Sequence, residues 1–312
     1  MAKYDLLVAG EINPDLILTD PNLEPKFGQV EVLVENATLT VGSSSVIFAC
    51  GAARLGLKVA FLGVVGDDMF GRFMLEAMED KGIDISSVII DPDQGTGFTV
   101  ILNKVKDRGM ITYMGAINAL APDQVSNKLL SQTRHLHIAS YFLQTKLRPG
   151  VLDVFSRAKV LGVTSSLDTN WDPENEWVGL DEILPVTDVF LPNEAEGEAL
   201  TGKHNPEEIV TVLSAKAGRV AMKMGADGAI AKQGGQLIRL PAPHVGIVDT
   251  VGAGDSFDAG FIYGYLHEWS LEESLKLGIA CGSLSTLGPG GTSAQPTLKE
   301  AQAYMEKIYQ ED

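Results

Sequence analysis

The chain has 312 residues, of which 45% are hydrophobic and 21% charged, a composition that belongs to a globular protein and excludes a disordered or fibrous one. Acidic residues number 41 against 24 basic ones, a formal net charge of -17, which repels phosphate backbones and anionic lipid and so excludes nucleic acid and membrane as main partners. No apolar run reaches the ~18 residues of a membrane span, and Cys50 and Cys281 lack metal-ligand spacing and read as buried free thiols.

Residues 5–9 are a short apolar run ending at Gly10, a buried first strand. Residues 30–34 and 37–41 alternate apolar and polar side chains and predict two strands around a Glu35-Asn36 turn. Three serines follow Gly42, and residues 46–55 predict a buried helix that stops at Gly56. A strand at 58–65, a helix at 67–82 and a strand at 86–90 come next. Residues 98–105 and 110–114 predict a hairpin with Asp107-Arg108-Gly109 at its tip. From residue 134 the alternation is regular, with strands at 135–139, 163–168, 186–191, 220–223 and 229–232 and helices at about 147–161 and 205–217. The tail is helical at 255–268, 271–287 and 298–309. This order implies an α/β fold whose mainly parallel sheet is covered on both faces. Segments at about 11–43 and 96–115 break the alternation and predict a small β-sheet lid. Ligands of such sheets bind beyond the carboxyl ends of the strands, where the lid would close.

The stretch from Asp249 to Gly260 carries the most chemistry. Small residues at 252–254 let the chain turn tightly and present successive N–H groups at a helix start, an anion hole suited to a phosphoryl group. Asp255 stands at its edge, where a carboxylate can accept a proton from an attacking hydroxyl. An ordinary glycine turn with Asp255 as N-cap would show the same spacing.

These positions resemble the carboxyl-terminal signature of the ribokinase-like carbohydrate kinases, the phosphofructokinase-B family, and the resemblance runs through the chain in order. It implies a three-layer α/β/α body with a β lid, one kinase domain over residues 1–312, Asp255 as the catalytic base, and the N–H groups of Gly252, Ala253 and Gly254 as the anion hole. Residues 10–15 resemble the family's first sugar-binding segment. Asn13 offers a donor and an acceptor there and Asp15 two acceptors, as neighbouring hydroxyls require, although Asn-Pro-Asp also makes a capped turn. Residues 42–56 resemble the other signature, with Gly42, Ala49 and Arg54-Leu55-Gly56 in place. Ser43 replaces its second glycine, and Ile47 replaces an asparagine that commonly touches substrate. Gly42, Ser43 and Ile47 are therefore expected in an acceptor pocket that has lost one polar handle.

Asn193 and Glu196 resemble an Asn-x-x-Glu magnesium motif, one helical turn apart and able to face one water-held ion; a charged helix start explains the acids equally. Asp168-Thr169-Asn170 resembles another active-site turn, but Asp172 stands where the family often has arginine, so no phosphate contact is assigned there. Lys223, Gly225 and Gly228 match a turn beside the nucleotide, with Asn193 and Thr250 as neighbours; Lys223 reaches a phosphate or is a solvated strand end. Residues 288–292, with the carbonyls of Asp249 and Val251, resemble a loop that holds a monovalent cation.

Several patterns lead nowhere. Residues 197–203 spell G-x-x-x-x-G-K, but His204 follows where a P-loop needs Ser or Thr. Gly252 and Gly254 do not complete a dinucleotide fingerprint, because position 257 is Phe; a nicotinamide dehydrogenase is a poor fit. His135 and His137 sit in a strand and read as structural. The expectation is thus an ATP- and magnesium-dependent kinase, with K+ as a further ion, acting on a hydroxyl, a hydroxymethyl, of a small sugar. The alternatives are a nucleoside kinase of the same fold and a non-catalytic sugar- or nucleotide-binding homologue. A phosphorylated sugar would want a cluster of cations, and only Lys104, Lys106 and Arg108 crowd the hairpin. The chain enters a strand pattern at once without a signal peptide, so a cytoplasmic location is expected. Relatives often bury the lid against a second subunit, and Val30, Val32 and Val34 give it an apolar face, so a homodimer through the lid is expected.

Overall fold

The computed structural model describes residues 2–104 and 108–309. Its elements run β1 (Tyr4–Ala9), β2 (Pro14–Thr19), β3 (Asn36–Val41), α1 (Ser44–Arg54), β4 (Val59–Leu62), β5 (Val64–Gly66), α2 (Met69–Asp80), β6 (Ile89–Asp91), β7 (Phe98–Asn103) and β8 (Arg108–Tyr113). There follow α3 (Asn127–Leu130), β9 (Thr133–Ile138), α4 (Val151–Val160), β10 (Thr164–Leu167), α5 (Leu180–Ile183), β11 (Val189–Phe190), α6 (Glu194–Thr201) and α7 (Pro206–Ser214). The chain ends with β12 (Arg219–Lys223), β13 (Ala229–Gln233), β14 (Gln236–Leu240), α8 (Ala253–Leu266), α9 (Leu271–Ser285) and α10 (Leu298–Tyr309).

The large sheet has the order β14-β13-β12-β11-β10-β9-β1-β4. From β12 to β4 all neighbours are parallel; β13 and β14 add an antiparallel edge. Side chains alternate between two cores, as strand pleating demands. Leu6, Val8, Val59 and Phe61 face one core with α1, α2, α8 and α9. Leu7, Ala9, Ala60 and Leu62 face the other with α4, α5 and α7. The body is therefore the expected α/β/α sandwich. Cys50 and Cys281 are buried and free in the first core, and His135 and His137 are buried in β9, bonded to Thr164 and Ser166 at 2.7 Å. Burial holds both imidazoles below their usual range and so neutral. Among the described residues no helix is long and apolar enough to cross a membrane.

The second sheet has the order β3-β2-β7-β8, and here the structure corrects the expectation. Residues 30–34 form no strand; Val30 and Leu33 are 53% and 85% exposed. The partner of β3 is β2, an apolar run between two prolines that pairs Leu16 with Leu39. Residues 30–34 leave the outer edge of β3 without a partner in spite of their alternation, which reports a side-chain pattern and not backbone pairing. Arg108 and Gly109 lie within β8 rather than at a hairpin tip, and Val105, Lys106 and Asp107 fall outside the described residues. β14 is a further strand that the alternating pattern did not announce.

Register divides this sheet cleanly. Asp15, Thr40 and Thr99 share one face with Ile17, Thr38 and Ile101. Leu16, Leu39, Val100 and Ile111 share the other with Leu18 and Leu102. The first face looks into a cleft of about 850 Å3, closed on its far side by residues 247–250. The apolar face points away from that cleft, and its Ile111 is 61% exposed.

Candidate active site

The carboxyl ends of β1, β9, β10, β11 and β12 converge under the lid with the amino ends of α1, α6 and α8. α8 begins at Ala253, with Gly252 before it in a left-handed conformation, φ 70°. A side chain at Gly252 would meet the Gly291 backbone at 2.7 Å and Ile47 at 2.8 Å. Only glycine turns there without strain. The N–H groups of Ala253 and Gly254 lie in the first turn, where the dipole favours an anion, and that of Ala253 also donates to Thr250 O at 3.3 Å.

Asp255 is not the N-cap. It lies inside the first turn of α8 and is buried. Burial above all, and then the negative charge of Asp168, push its carboxyl up to about 8, while Lys223 and a hydrogen bond from Ser44 pull the other way. Lys223, at the end of β12, is neither solvated nor free. Its Nζ is 2.8 Å from Asp168 Oδ2 and 2.9 Å from Asp258 Oδ2. Burial opposes the charge on Asp168, but Lys223 and neighbouring hydrogen bonds outweigh it and hold Asp168 below the usual carboxylate range. Burial drives Asp258 well above that range, so Asp258 is the acid of the pair that takes a proton. Lys223 still borders the anion turn: its Nζ lies 3.8 Å from where a side chain on Gly254 would start.

Asn193 and Glu196 form a reciprocal cap on α6. Asn193 Oδ1 accepts from Glu196 N at 2.9 Å, and Glu196 Oε2 accepts from Asn193 N at 2.9 Å. A bridge between Asn193 and Lys223 sets this cap beside the ion triad. Burial first, then Asp168, push Glu196 up to about 7. The structure shows the cap, and its two side chains lie beside the triad. Among the described residues no set of three or more His, Cys, Asp or Glu is arranged to hold a metal ion alone.

An apolar cavity of about 290 Å3 opens on the other side of α8's start, lined by Lys223, Gly225, Gly228, Thr250, Gly254 and Phe257 among others. Ile247 and Thr250 line both this cavity and the lid cleft, so the two spaces meet at residues 247–250. Asp249 braces that junction: its Oδ1 accepts from Val251 N at 3.0 Å and its Oδ2 from Gly290 N at 2.9 Å. The loop at 288–292 is thereby held against Asp249.

On the acceptor side, Asp15 and Asn13 are buried, with Asn13 Nδ2 3.5 Å from Asp15 Oδ1. Gly42 is glycine because a side chain there would lie 2.3 Å from Asp15 Oδ1. Burial pushes Asp15 up to about 7, with Arg108 across the lid opposing. Two expected pocket residues are engaged otherwise. The Ser43 hydroxyl caps α1 and lies 3.0 Å from Glu11 Oε1. Ile47 is 3% exposed and fills the space beneath Gly252 and Gly291, so it backs the anion turn instead of facing a ligand. Asp172 accepts from the N–H groups of Glu174, Glu176 and Trp177 at 2.7–3.1 Å and builds a turn. Asn170, in the turn already noted at 168–170, donates to Ser44 Oγ, and Glu11, Ser44 and Ser140 join the site without having been singled out; the signal available was a glutamate after the first strand and three serines at a helix start.

The profile of the pfkB family carbohydrate kinase matches residues 3–298. The chain is 31% identical to a 2-dehydro-3-deoxygluconokinase of Bacillus subtilis, covering 82% of this chain and 84% of that one. It is 30% identical to a 5-dehydro-2-deoxygluconokinase of Lacticaseibacillus casei, over 98% and 96%. Among solved structures it superposes on Arabidopsis thaliana ribokinase complexed with ribose and ATP, with a TM-score of 0.84 at 24% identity, covering 98% of this chain and 99% of that one. A match of this extent, on a fold whose two cavities meet at a glycine turn beside a buried aspartate, means that the chain belongs to the pfkB family of carbohydrate kinases.

Proposed function

We propose that the protein transfers the terminal phosphoryl group of ATP, with magnesium, to a hydroxymethyl group of a small neutral sugar. The observation that carries this reading is the buried Asp255 carboxylate in the first turn of α8, directly after Ala253 and Gly254, which line the apolar cavity. The apolar cavity, flanked by Gly225, Gly228 and Thr250, suits a purine, and a likeness to a structure solved with ribose and ATP supports that use. Asn13 and Asp15 hold neighbouring hydroxyls of the acceptor against Gly42. Asp255 takes the proton of the attacking hydroxyl, and its high pKa makes it a good base near neutrality. The N–H groups of Gly252, Ala253 and Gly254 receive the oxygens of the transferred group, and Lys223 stands beside them. The lid cleft keeps water from competing as acceptor.

The donor set fits magnesium held through waters. Glu196 and Asn193 offer oxygens beside Asp168 in a region where acids outnumber Lys223, and no protein cage is needed when phosphates supply ligands. Bound there, magnesium supplies charge that offsets the phosphate oxygens. Glu196→Gln is expected to raise the magnesium concentration for half-maximal rate several-fold, as loss of an outer ligand does; an unchanged magnesium titration removes Glu196 from the site. A monovalent cation, K+, fits the neutral carbonyls of Asp249 and Val251 and the loop that Asp249 clasps.

The acceptor is taken as neutral because Asp15, Glu11 and Asp255 line its side of the site, and Asp172 occupies the position where an arginine would have met an anion. Arg108 faces Asp15, and Lys104 pairs with Glu24 at 3.8 Å. The relatives named gluconokinases act, by name, on sugar acids. An ADP-release assay over neutral sugars, sugar acids and nucleosides decides. Turnover of neutral sugars above both other classes is expected; a preference for the acids or for nucleosides overturns the assignment.

The half-buried apolar face of the lid, with Ile111 61% exposed at its edge, is read as a homodimer seam, since a small sheet with an incompletely covered apolar face is prone to associate. A two-fold dimer is expected at micromolar concentration in sedimentation equilibrium. Leu39→Glu with Ile111→Glu should yield monomers; a dimer indifferent to both charges places the seam elsewhere.

A further inference from the structure

Gln295 belongs to none of the motifs above, yet it is 4% exposed and gives both N–H groups of its side chain to helices that begin at the site. Its Nε2 donates to the Ile47 carbonyl of α1 at 2.9 Å and to Ser256 Oγ of α8 at 3.1 Å. The Ile47 carbonyl can only accept, so the amide has one orientation, with its nitrogen toward the helices. Ile47 and Ser256 are each the fourth residue of their helix. Neither helix needs the amide in order to form. Ile47 N already donates to Ser43 O and Ser256 N to Gly252 O, both at 2.9 Å. The amide adds a fixed separation between two helix starts, one on the acceptor side and one carrying the anion turn and Asp255.

The two helices cross tightly just behind this tie. A side chain at Gly51 would begin 3.0 Å from Ala259 Cβ and 3.0 Å from Gln295 Nε2. At ~1.5 Å per residue, Gly51 and Ala259 lie about 10 Å along their helices from the first residues. A small rotation about the crossing therefore swings both starts apart. Gln295 sits one turn nearer the site and resists that swing. Its backbone is secured in turn: Arg54 Nε, at the end of α1, donates to the Gln295 carbonyl at 3.3 Å. Earlier in the same loop, Gly290 N donates to Asp249 Oδ2 at 2.9 Å, and Gly291 packs against Gly252. Residues 290–295 thus fasten the anion turn at three points, Asp249, Gly252 and Ser256.

We propose that Gln295 is a positioning residue that sets the distance between the acceptor, held beside the start of α1, and the phosphoryl group, held at the start of α8. The proposal rests on the reading of the α8 start as the phosphoryl site. In-line transfer tolerates little error in that distance: a misplacement of ~1 Å by a residue far from the chemistry can cost about 10²-fold in rate. Ser256 adjoins Asp255, so the tie also holds the turn that carries the base. Ile47 backs Gly252 and Gly291, so freeing its carbonyl loosens the wall behind the anion turn as well. Arg54 acts one step further back, on the backbone from which the amide reaches.

The test compares Gln295→Met, Ser256→Ala and Asp255→Asn with the parent enzyme, using the best acceptor and magnesium ATP at a temperature where the variants are folded. Methionine keeps the length and volume of glutamine and removes both N–H donors. Gln295→Met should lower kcat by about tenfold or more and leave the KM for ATP and for the acceptor within about twofold. It should also lower the ratio of phosphorylated acceptor to ADP, because a displaced acceptor lets water take part of the phosphoryl groups. Ser256→Ala, which leaves the bond to Ile47, should show the same pattern with a smaller loss. If Gln295→Met only melts earlier, with the kcat and product ratio of the parent, the amide is a structural staple and the proposal fails. A loss confined to either KM also overturns it, since the amide then shapes a pocket. Should Gln295→Met not fold, Ser256→Ala decides by the same two readouts. Full turnover in Asp255→Asn removes the α8 start from the chemistry and takes the proposal with it, whereas a dead Asp255→Asn beside an unaltered Gln295→Met sinks only the positioning role.

Discussion

Asp255→Asn is expected to lower kcat by ~10²–10⁴ with the KM for ATP little changed. The amide preserves the shape of the side chain in the first turn of α8 but cannot accept a proton. Because Asp255 is not the cap of α8, which is Gly252, the substitution leaves the helix start intact. It also removes a buried acid whose pKa burial has pushed to about 8, so the variant should be no less stable than its parent near pH 7. A loss of turnover with an unchanged melting temperature would therefore be a loss of chemistry. In the parent, kcat/KM for the acceptor should climb as the pH rises toward 8, because only the ionised carboxylate accepts the proton. A flat profile from pH 6 to 9, or near-normal turnover by the asparagine variant, would remove Asp255 from the proton transfer.

How much of this could be read from the residues alone differs between body and site. The alternation of apolar strands with helices after residue 134 and the glycine turn at 252–254 both appear in the structure where the pattern put them. Such features are local: pleat period, helix period and turn chemistry leave marks on consecutive residues. The lid was harder. Its β2 is an apolar run between Pro14 and Pro21, whereas residues 30–34 have a better alternating pattern and no partner. Pairing is a property of two distant segments, and the pattern of one cannot report it. The same limit applies to the site. Asp255, Asn193 and Glu196 lie in motifs, but the fate of Lys223 depends on Asp168 and Asp258, which are 55 and 35 residues away. Ile47 reads as an altered pocket wall until Gly252 and Gly291 are seen to close over it.

That triad makes the second large effect. Lys223→Met should cost about 3 kcal/mol of stability, in the range found when one partner of a buried ion pair is removed. The side chain of Lys223 is 12% exposed, and those of its partners are 4% and 1%, so water cannot replace the ammonium. The cost stays at the low end because Asp258 readily takes a proton and so sheds the unpaired charge. Adding Asp258→Asn should then restore much of the stability, since one acid of the pair is gone and the remaining Asp168 can accept from the new amide. Urea midpoints of the parent, the two single variants and the double variant form the cycle that measures this coupling. Activity should follow a different course. Lys223 borders both Gly254 and the apolar cavity, so its loss should weaken ATP binding and lower kcat, and neither should recover in the double variant. A double variant that regains turnover together with stability would make Lys223 a strut for two acids and nothing more. One that refolds yet stays slow, with a raised KM for ATP, places the ammonium at the transferred phosphoryl group.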